Sequence, residues 1–209
     1  MLSPDTALQF FIAAIILGLA PGPDIIFVLT QSAVHGARAG LATTLGLISG
    51  LFFHTALVAL GVAVIFQTSA LAFTLLKVAG AAYLLYLAWL SFRAGSVRAP
   101  GQAAAFTGCM ALYRRGVIMN ITNPKVSLFF LAFLPQFASP AHGSVTAQIL
   151  QLGLLFMLAT LLVFGSTALL AGRLASRFNQ SPRAQIFLNR LAACVFCALA
   201  VMLLFTGHA

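Results

Sequence analysis

The chain has 209 residues, of which 62% are hydrophobic and 6% charged, with eleven Lys+Arg against two Asp+Glu. Its mean hydropathy is +1.08. An ordinary soluble domain is about a quarter charged, because a solvated surface must be covered by polar groups, so this composition excludes one. The net charge of +9 does not point to nucleic acid either. Its cations sit in short gaps between long apolar runs and not along one polar face.

A helix crossing a hydrocarbon core of about 30 Å needs about 20 apolar residues. In chain order, six windows meet that length: Ala7 to Gln31, Leu41 to Phe66, Leu71 to Phe92, Gly116 to Phe137, Val145 to Ala171 and Ile186 to Thr206. The first is interrupted by Pro21-Gly22-Pro23-Asp24, and the second is closed by Gln67-Thr68-Ser69. The N-terminal window has Asp5 as its first charge and lacks the basic start of a cleaved leader, so it reads as a retained span. The expected fold is all-α, a polytopic membrane protein forming a single transmembrane domain over residues 1–209. It divides into repeat one (about 1–92), a loop (93–115) and repeat two (about 116–209). Three spans per half make the halves inverted relative to each other.

Orientation follows from the cations. Arg38 follows the first window; Arg93, Arg98, Arg114 and Arg115 lie around the central loop; Arg173, Arg177, Arg183 and Arg190 lie between the fifth and sixth windows. Segments 67–70 and 138–144 carry no Lys or Arg. By the positive-inside rule the arginine-bearing loops are cytoplasmic and both termini face outward, into the periplasm of a bacterial inner membrane. The arginines would also meet anionic lipid headgroups, and Lys77 can snorkel to the outer interface. Cys109 falls in the cytoplasmic loop, and Cys194 and Cys197 read as apolar packing residues within the last span.

Two of the windows are broken. Pro21 and Pro23 remove backbone donors and free carbonyls around Leu17 to Leu19, after which Pro23 starts a new half-helix with Asp24 in its first turn. In Asn120-Ile121-Thr122-Asn123-Pro124-Lys125, Asn123 is a good N-cap and Pro124 a good first helical residue. Asp24 is roughly 12 Å in from Ser32 and Lys125 roughly 15 Å in from Arg115, so both charges lie near the midplane. Interrupted helices at matching places in inverted halves are the best sequence pointer to a transporter's binding site. The candidate substrate-binding residues are therefore Pro21, Gly22, Pro23, Asp24, Asn120, Asn123, Pro124 and Lys125. An anion, a cation and two helix ends suit a zwitterion: its carboxylate meets the Asn123–Lys125 half-helix start, and its ammonium meets Asp24 and the freed carbonyls. A purely structural ion pair between Asp24 and Lys125 is the alternative. Burial disfavours a charged carboxyl, so Asp24 is also a candidate for proton exchange.

These residues resemble the LysE/RhtB family of bacterial amino-acid exporters. The resemblance rests on Ala20 through Asp24, on Gly36-Ala37-Arg38-Ala39-Gly40 with Gly46 and Gly50, on Lys77 through Leu84, and on Asn120 through Lys125. It covers essentially the whole chain. It implies an inner-membrane exporter of amino acids or their derivatives, such as homoserine-like or threonine-like substrates, driven by proton antiport and assembled as a homodimer. The last span departs from the family's glycines, carrying Ala192, Ala193, Cys194 and Ala198.

Weaker candidates follow. The Gly46-to-Gly50 step reads as close helix packing. His54 is either a satisfied packing residue or a proton relay. Gln31 and Asn120 could bond substrate or a neighbouring helix, and Tyr83, on one face with Tyr86 and Trp89, either packs or lines a pathway. His35, His142 and His208 lack ligand spacing, so neither metal nor another cofactor is expected. An enzyme is disfavoured because Asp5 and Asp24 leave no acid–base pair. A non-transporting scaffold, or efflux of a different small metabolite or cation, is the competing function.

Overall fold

A computed structural model of the chain describes residues 2–20, 22–68, 70–94, 108–180 and 182–205, and every regular element among them is helical. The chain enters its first helix, α1 (Pro4–Leu19), through a cap in which Ser3 Oγ accepts from the Thr6 N–H at 3.2 Å, with Pro4 at the first helical position. The first break follows. Gly22 precedes α2 (Pro23–His35), which starts on a proline as its sequence demands. It ends at Gly36, whose φ of 85° lies in the left-handed region that glycine tolerates.

Two long helices follow, α3 (Ala37–Thr68) and α4 (Ala70–Arg93), and then α5 (Cys109–Ile121) leads into the second break. Beyond it α6 (Pro124–Leu128) widens into a π turn over Phe129–Phe133 and tightens into a 3-10 turn over Leu134–Phe137. The apolar window ends at Phe137 but carries no mark of these irregular turns. Pro135 has no N–H to donate to the carbonyl one turn back, and the irregular turns absorb that loss. After a short turn at Pro140–His142 come α7 (Val145–Gln180) and α8 (Pro182–Phe205).

Within α3 and α7, the segments Ala37–Gly61 and Val145–Ala171 are long and apolar enough to cross a membrane. The pair α1 and α2 qualifies as one further broken span, and α5 with the segment Pro124–Phe137 as another, bent by 48°. Two to four spans are thus supported by length and composition. Among the described residues, α4 and α8 contribute the shorter apolar stretches Val78–Arg93 and Asn189–Val201. Large apolar side chains face outward on all the long helices: Leu60 on α3, Leu71 and Trp89 on α4, Leu154 on α7 and Phe187 on α8 are more than half exposed. Such faces are at rest only in lipid, which makes this a multi-pass membrane protein. Cys194 and Cys197 belong to that outer face of α8 and are exposed.

At the centre, α3 packs on α5 and α7, α1 and α2 pack on α7, and α4 packs on α8. Glycine permits a close approach of α3 to α5. A Cβ on Gly116 would stand 2.5 Å from the Thr43 carbonyl oxygen and 3.2 Å from the Gly46 Cα, so α3 and α5 meet backbone to backbone. An aromatic cluster fills the space between the breaks and the N-terminal end of α1. Phe10 lies 5.2 Å from Phe137, Phe129 lies 4.8 Å from Phe133, and Phe156 on α7 lies 5.3 Å from Phe129 and 5.1 Å from Phe130.

The two ends of the bundle differ in chemistry. Arg115 lies over the Phe27 ring at 4.6 Å and Arg93 over Trp89 at 4.3 Å, and Asn189 Nδ2 donates to the Ala94 carbonyl at 3.1 Å, tying α4 to α8. Near the start of α7, the buried Gln148 clasps the preceding turn, donating to the Ser139 carbonyl at 2.9 Å and accepting from its N–H at 3.1 Å. Arg98 and the side chains of Lys77, Arg173, Arg177 and Arg183 lie outside the described residues.

Candidate functional site

Each break leaves a carbonyl whose helical donor would have come from a proline. In the first, the Leu17 carbonyl would have been paired with residue 21, which is a proline and itself lies outside the described residues. In the second, the Asn120 carbonyl would have been paired with Pro124. Both oxygens are met by side chains from elsewhere in the fold. Lys125 Nζ donates to Leu17 O at 3.1 Å and to Ala20 O at 3.2 Å. His54 Nε2 donates to Asn120 O at 3.2 Å, and Asn123 N–H donates to the same oxygen at 3.1 Å.

The second half-helix begins as its sequence implies. Asn123 Oδ1 accepts from the Lys125 N–H at 3.0 Å, and the Asn123 carbonyl accepts from Val126 N–H at 3.1 Å and Ser127 N–H at 3.0 Å. Those bonds use the backbone donors of the half-helix start. A substrate carboxylate therefore finds no free N–H among these, and the cation there is the Lys125 ammonium. That ammonium has three donors, two of which are spent on span-one carbonyls; one of these, Leu17 O, is among the freed carbonyls that the sequence offered to a substrate ammonium.

Asp24 and Lys125 meet indirectly. Asn123 Nδ2 donates to Asp24 Oδ2 at 2.8 Å, so one side chain caps the half-helix that carries Lys125 and also holds the carboxylate of the other break. Asp24 is 7% exposed and Asn120 is 2% exposed, yet Asp24 Oδ1 and Asn120 Oδ1 have no hydrogen-bond partner among the described residues. Leaving a buried polar atom unmet costs about 1–3 kcal/mol. Both acceptors belong to residues that line one cavity.

That cavity has a volume of about 30 Å³ and is lined by Asp24, Asn120, Asn123 and Lys125 on the polar side and by Leu51, Phe156 and Phe164 on the apolar side. Gly22 and Pro23 also line it, and a Cβ on Gly22 would stand in ordinary contact with Lys125 Nζ, at 3.4 Å. A water needs on the order of 10–15 Å³ of such space and a drug-sized ligand several hundred. As it stands the cavity has room for about two waters. Of the other sequence candidates, Pro124 starts α6 without lining the cavity, and His54 acts on it through Asn120. Gln31 and Tyr83 are half-buried outside it, Tyr83 with its ring 6.0 Å from Tyr86.

The comparison with known proteins decides the family. The model of the LysE type translocator matches residues 15–207. The chain belongs to that family. The homoserine/homoserine lactone efflux protein of Salmonella typhimurium is 34% identical over 200 residues, covering 96% of each chain. A membrane protein of Vibrio cholerae is 34% identical over 94% of this chain and 95% of its own. The leucine efflux protein of Salmonella choleraesuis is 33% identical over 68% of each. No solved structure matches.

The cavity brings together a carboxylate with an unmet oxygen, an amide, an ammonium and an apolar wall. Sequence reasoning missed that wall. Phe156, Thr160 and Phe164 of α7 recur every fourth residue and all line the cavity. Their signal was a lone threonine between phenylalanines at helical spacing, which is indistinguishable from lipid-facing sequence until the neighbour of that face is known.

Proposed function

We propose that the protein exports small neutral amino acids across the bacterial cytoplasmic membrane, exchanging them for protons by alternating access. The observation that carries this reading is the pair of buried, unmet acceptors Asp24 Oδ1 and Asn120 Oδ1, in one cavity with the Lys125 ammonium. The substrate ammonium donates to those two oxygens. Its carboxylate takes the third donor of Lys125, and its side chain lies against Phe156 and Phe164. The names of the relatives, which include homoserine and leucine efflux proteins, support the same substrate class.

In this reading the protein has six spans, arranged as two inverted three-helix repeats. The packing supports it: each repeat's broken span lies on the other repeat's long helix, α5 on α3 and α1 on α7, while α4 pairs with α8. Arginine-bearing loops face the cytoplasm and both termini the periplasm. Separation of the repeats enlarges the cavity enough to admit an amino acid. The proton is assigned to Asp24, the only carboxyl at the site, which releases the ammonium when it is neutralised. His54 is assigned to holding the second break.

Counterflow in proteoliposomes tests this. Vesicles preloaded with unlabelled homoserine or leucine are expected to accumulate the labelled compound at least tenfold above empty liposomes. An acidic interior should drive uptake that a protonophore abolishes. Absence of counterflow for every neutral amino acid would sink the substrate class, and counterflow indifferent to a pH gradient would sink proton coupling.

A further inference from the structure

The hydroxyl of Thr160 differs from its neighbours. Within the membrane a hydroxyl normally returns its proton to the carbonyl one turn back, as Thr43, Thr44, Thr55 and Thr167 do here at 3.0, 2.9, 2.8 and 2.7 Å. Thr160 is equally buried, at 6% exposed, yet makes no such bond to Phe156 or to any other described residue. It lines the cavity on the α7 face, between Phe156 and Phe164, with Asp24 and Asn120 among the residues completing the lining. An uncommitted hydroxyl in an otherwise apolar wall offers both a donor and an acceptor where a substrate side chain would lie.

We infer that Thr160 is the specificity-determining residue that recognises a hydroxyl on the substrate side chain, so that the site favours short hydroxylated amino acids over aliphatic ones. This rests on the amino-acid reading of the site given above. The zwitterion's charged ends are fixed by Asp24, Asn120 and Lys125, which leaves the side chain pointing at the α7 wall. A purely phenylalanine wall would select by size alone, because an apolar pocket discriminates weakly against an added hydroxyl, whereas a polar partner left unpaired by the wrong ligand discriminates strongly. Thr160 adds that partner at one point of the wall.

The test is the ratio of homoserine to leucine transport in proteoliposomes, measured for the wild type, Thr160→Val and Thr160→Ser. Valine keeps the shape and removes the hydroxyl, so the ratio is expected to fall about tenfold, the scale of one lost hydrogen bond. Serine keeps the hydroxyl and should hold the ratio within about twofold on the same reasoning. An unchanged ratio in Thr160→Val overturns the inference while leaving amino-acid export standing, and so does an equal fall in both variants, because Thr160→Ser retains the hydroxyl. A wild type that carries neither compound overturns the underlying reading as well. Serine also covers the case in which valine fails to assemble, since a fall in Thr160→Ser alone counts against the hydroxyl.

Discussion

Pro21 and Pro124 act at the residue scale by what they lack. Each leaves one carbonyl without its helical donor, and each carbonyl is answered by a side chain from elsewhere in the fold, Lys125 for Leu17 and His54 for Asn120. The breaks are thereby held across the fold as well as along the chain. His54→Leu removes the side-chain donor to the Asn120 carbonyl and is expected to cost about 1 kcal/mol. For a chain of this size that lowers the melting temperature in detergent by roughly 2–4 °C. His54→Gln, which keeps a donor, should recover part of the loss; a melting temperature unmoved by His54→Leu would show that the bond contributes nothing. These pairings were half legible beforehand. Proline chemistry names the freed carbonyl, but which side chain reaches it depends on partners 66 and 108 residues away.

At the scale of elements, α3 and α5 approach closely where glycines at positions 46 and 116 let two backbones touch. Adding a methyl group to a packed contact costs about 1–3 kcal/mol, so Gly116→Ala should lower the melting temperature clearly. Gly61→Ala should not, because a Cβ on Gly61 meets nothing within 4 Å. Gly50→Ala is different in kind: its Cβ would stand 2.7 Å from Asn120 Cβ and Oδ1, so it is expected to reduce transport more than stability by displacing that amide. Equal stability of all three variants would contradict the packing. The half-helix starts at Pro23 and Pro124, with Asn123 as a cap, were readable from residue type alone. The π and 3-10 turns after Leu128 were not, because hydrophobic spacing does not register how Pro135 redistributes hydrogen bonds upstream.

The whole molecule is a membrane-embedded bundle whose charge separates by location. The described arginines, such as Arg38, Arg93, Arg114 and Arg190, are exposed, while Asp24 and Lys125 meet the same cavity through Asn123. That division was legible from composition and spacing, since few residues in such a chain are charged and only these two fall mid-window. The α7 wall with Thr160, and the bridging of the two charges by Asn123, required the packing of one half against the other, which no local pattern encodes. The account stands on Asp24 as the acceptor for the substrate ammonium, and the measurement closest to it is counterflow of labelled homoserine and leucine by Asp24→Asn. The variant is isosteric and keeps an acceptor oxygen, so its helical content and monodispersity should match the wild type. Exchange is expected to fall to under about a tenth, the scale of losing a hydrogen bond to a charged group. Counterflow by Asp24→Asn at the wild-type rate would contradict the account.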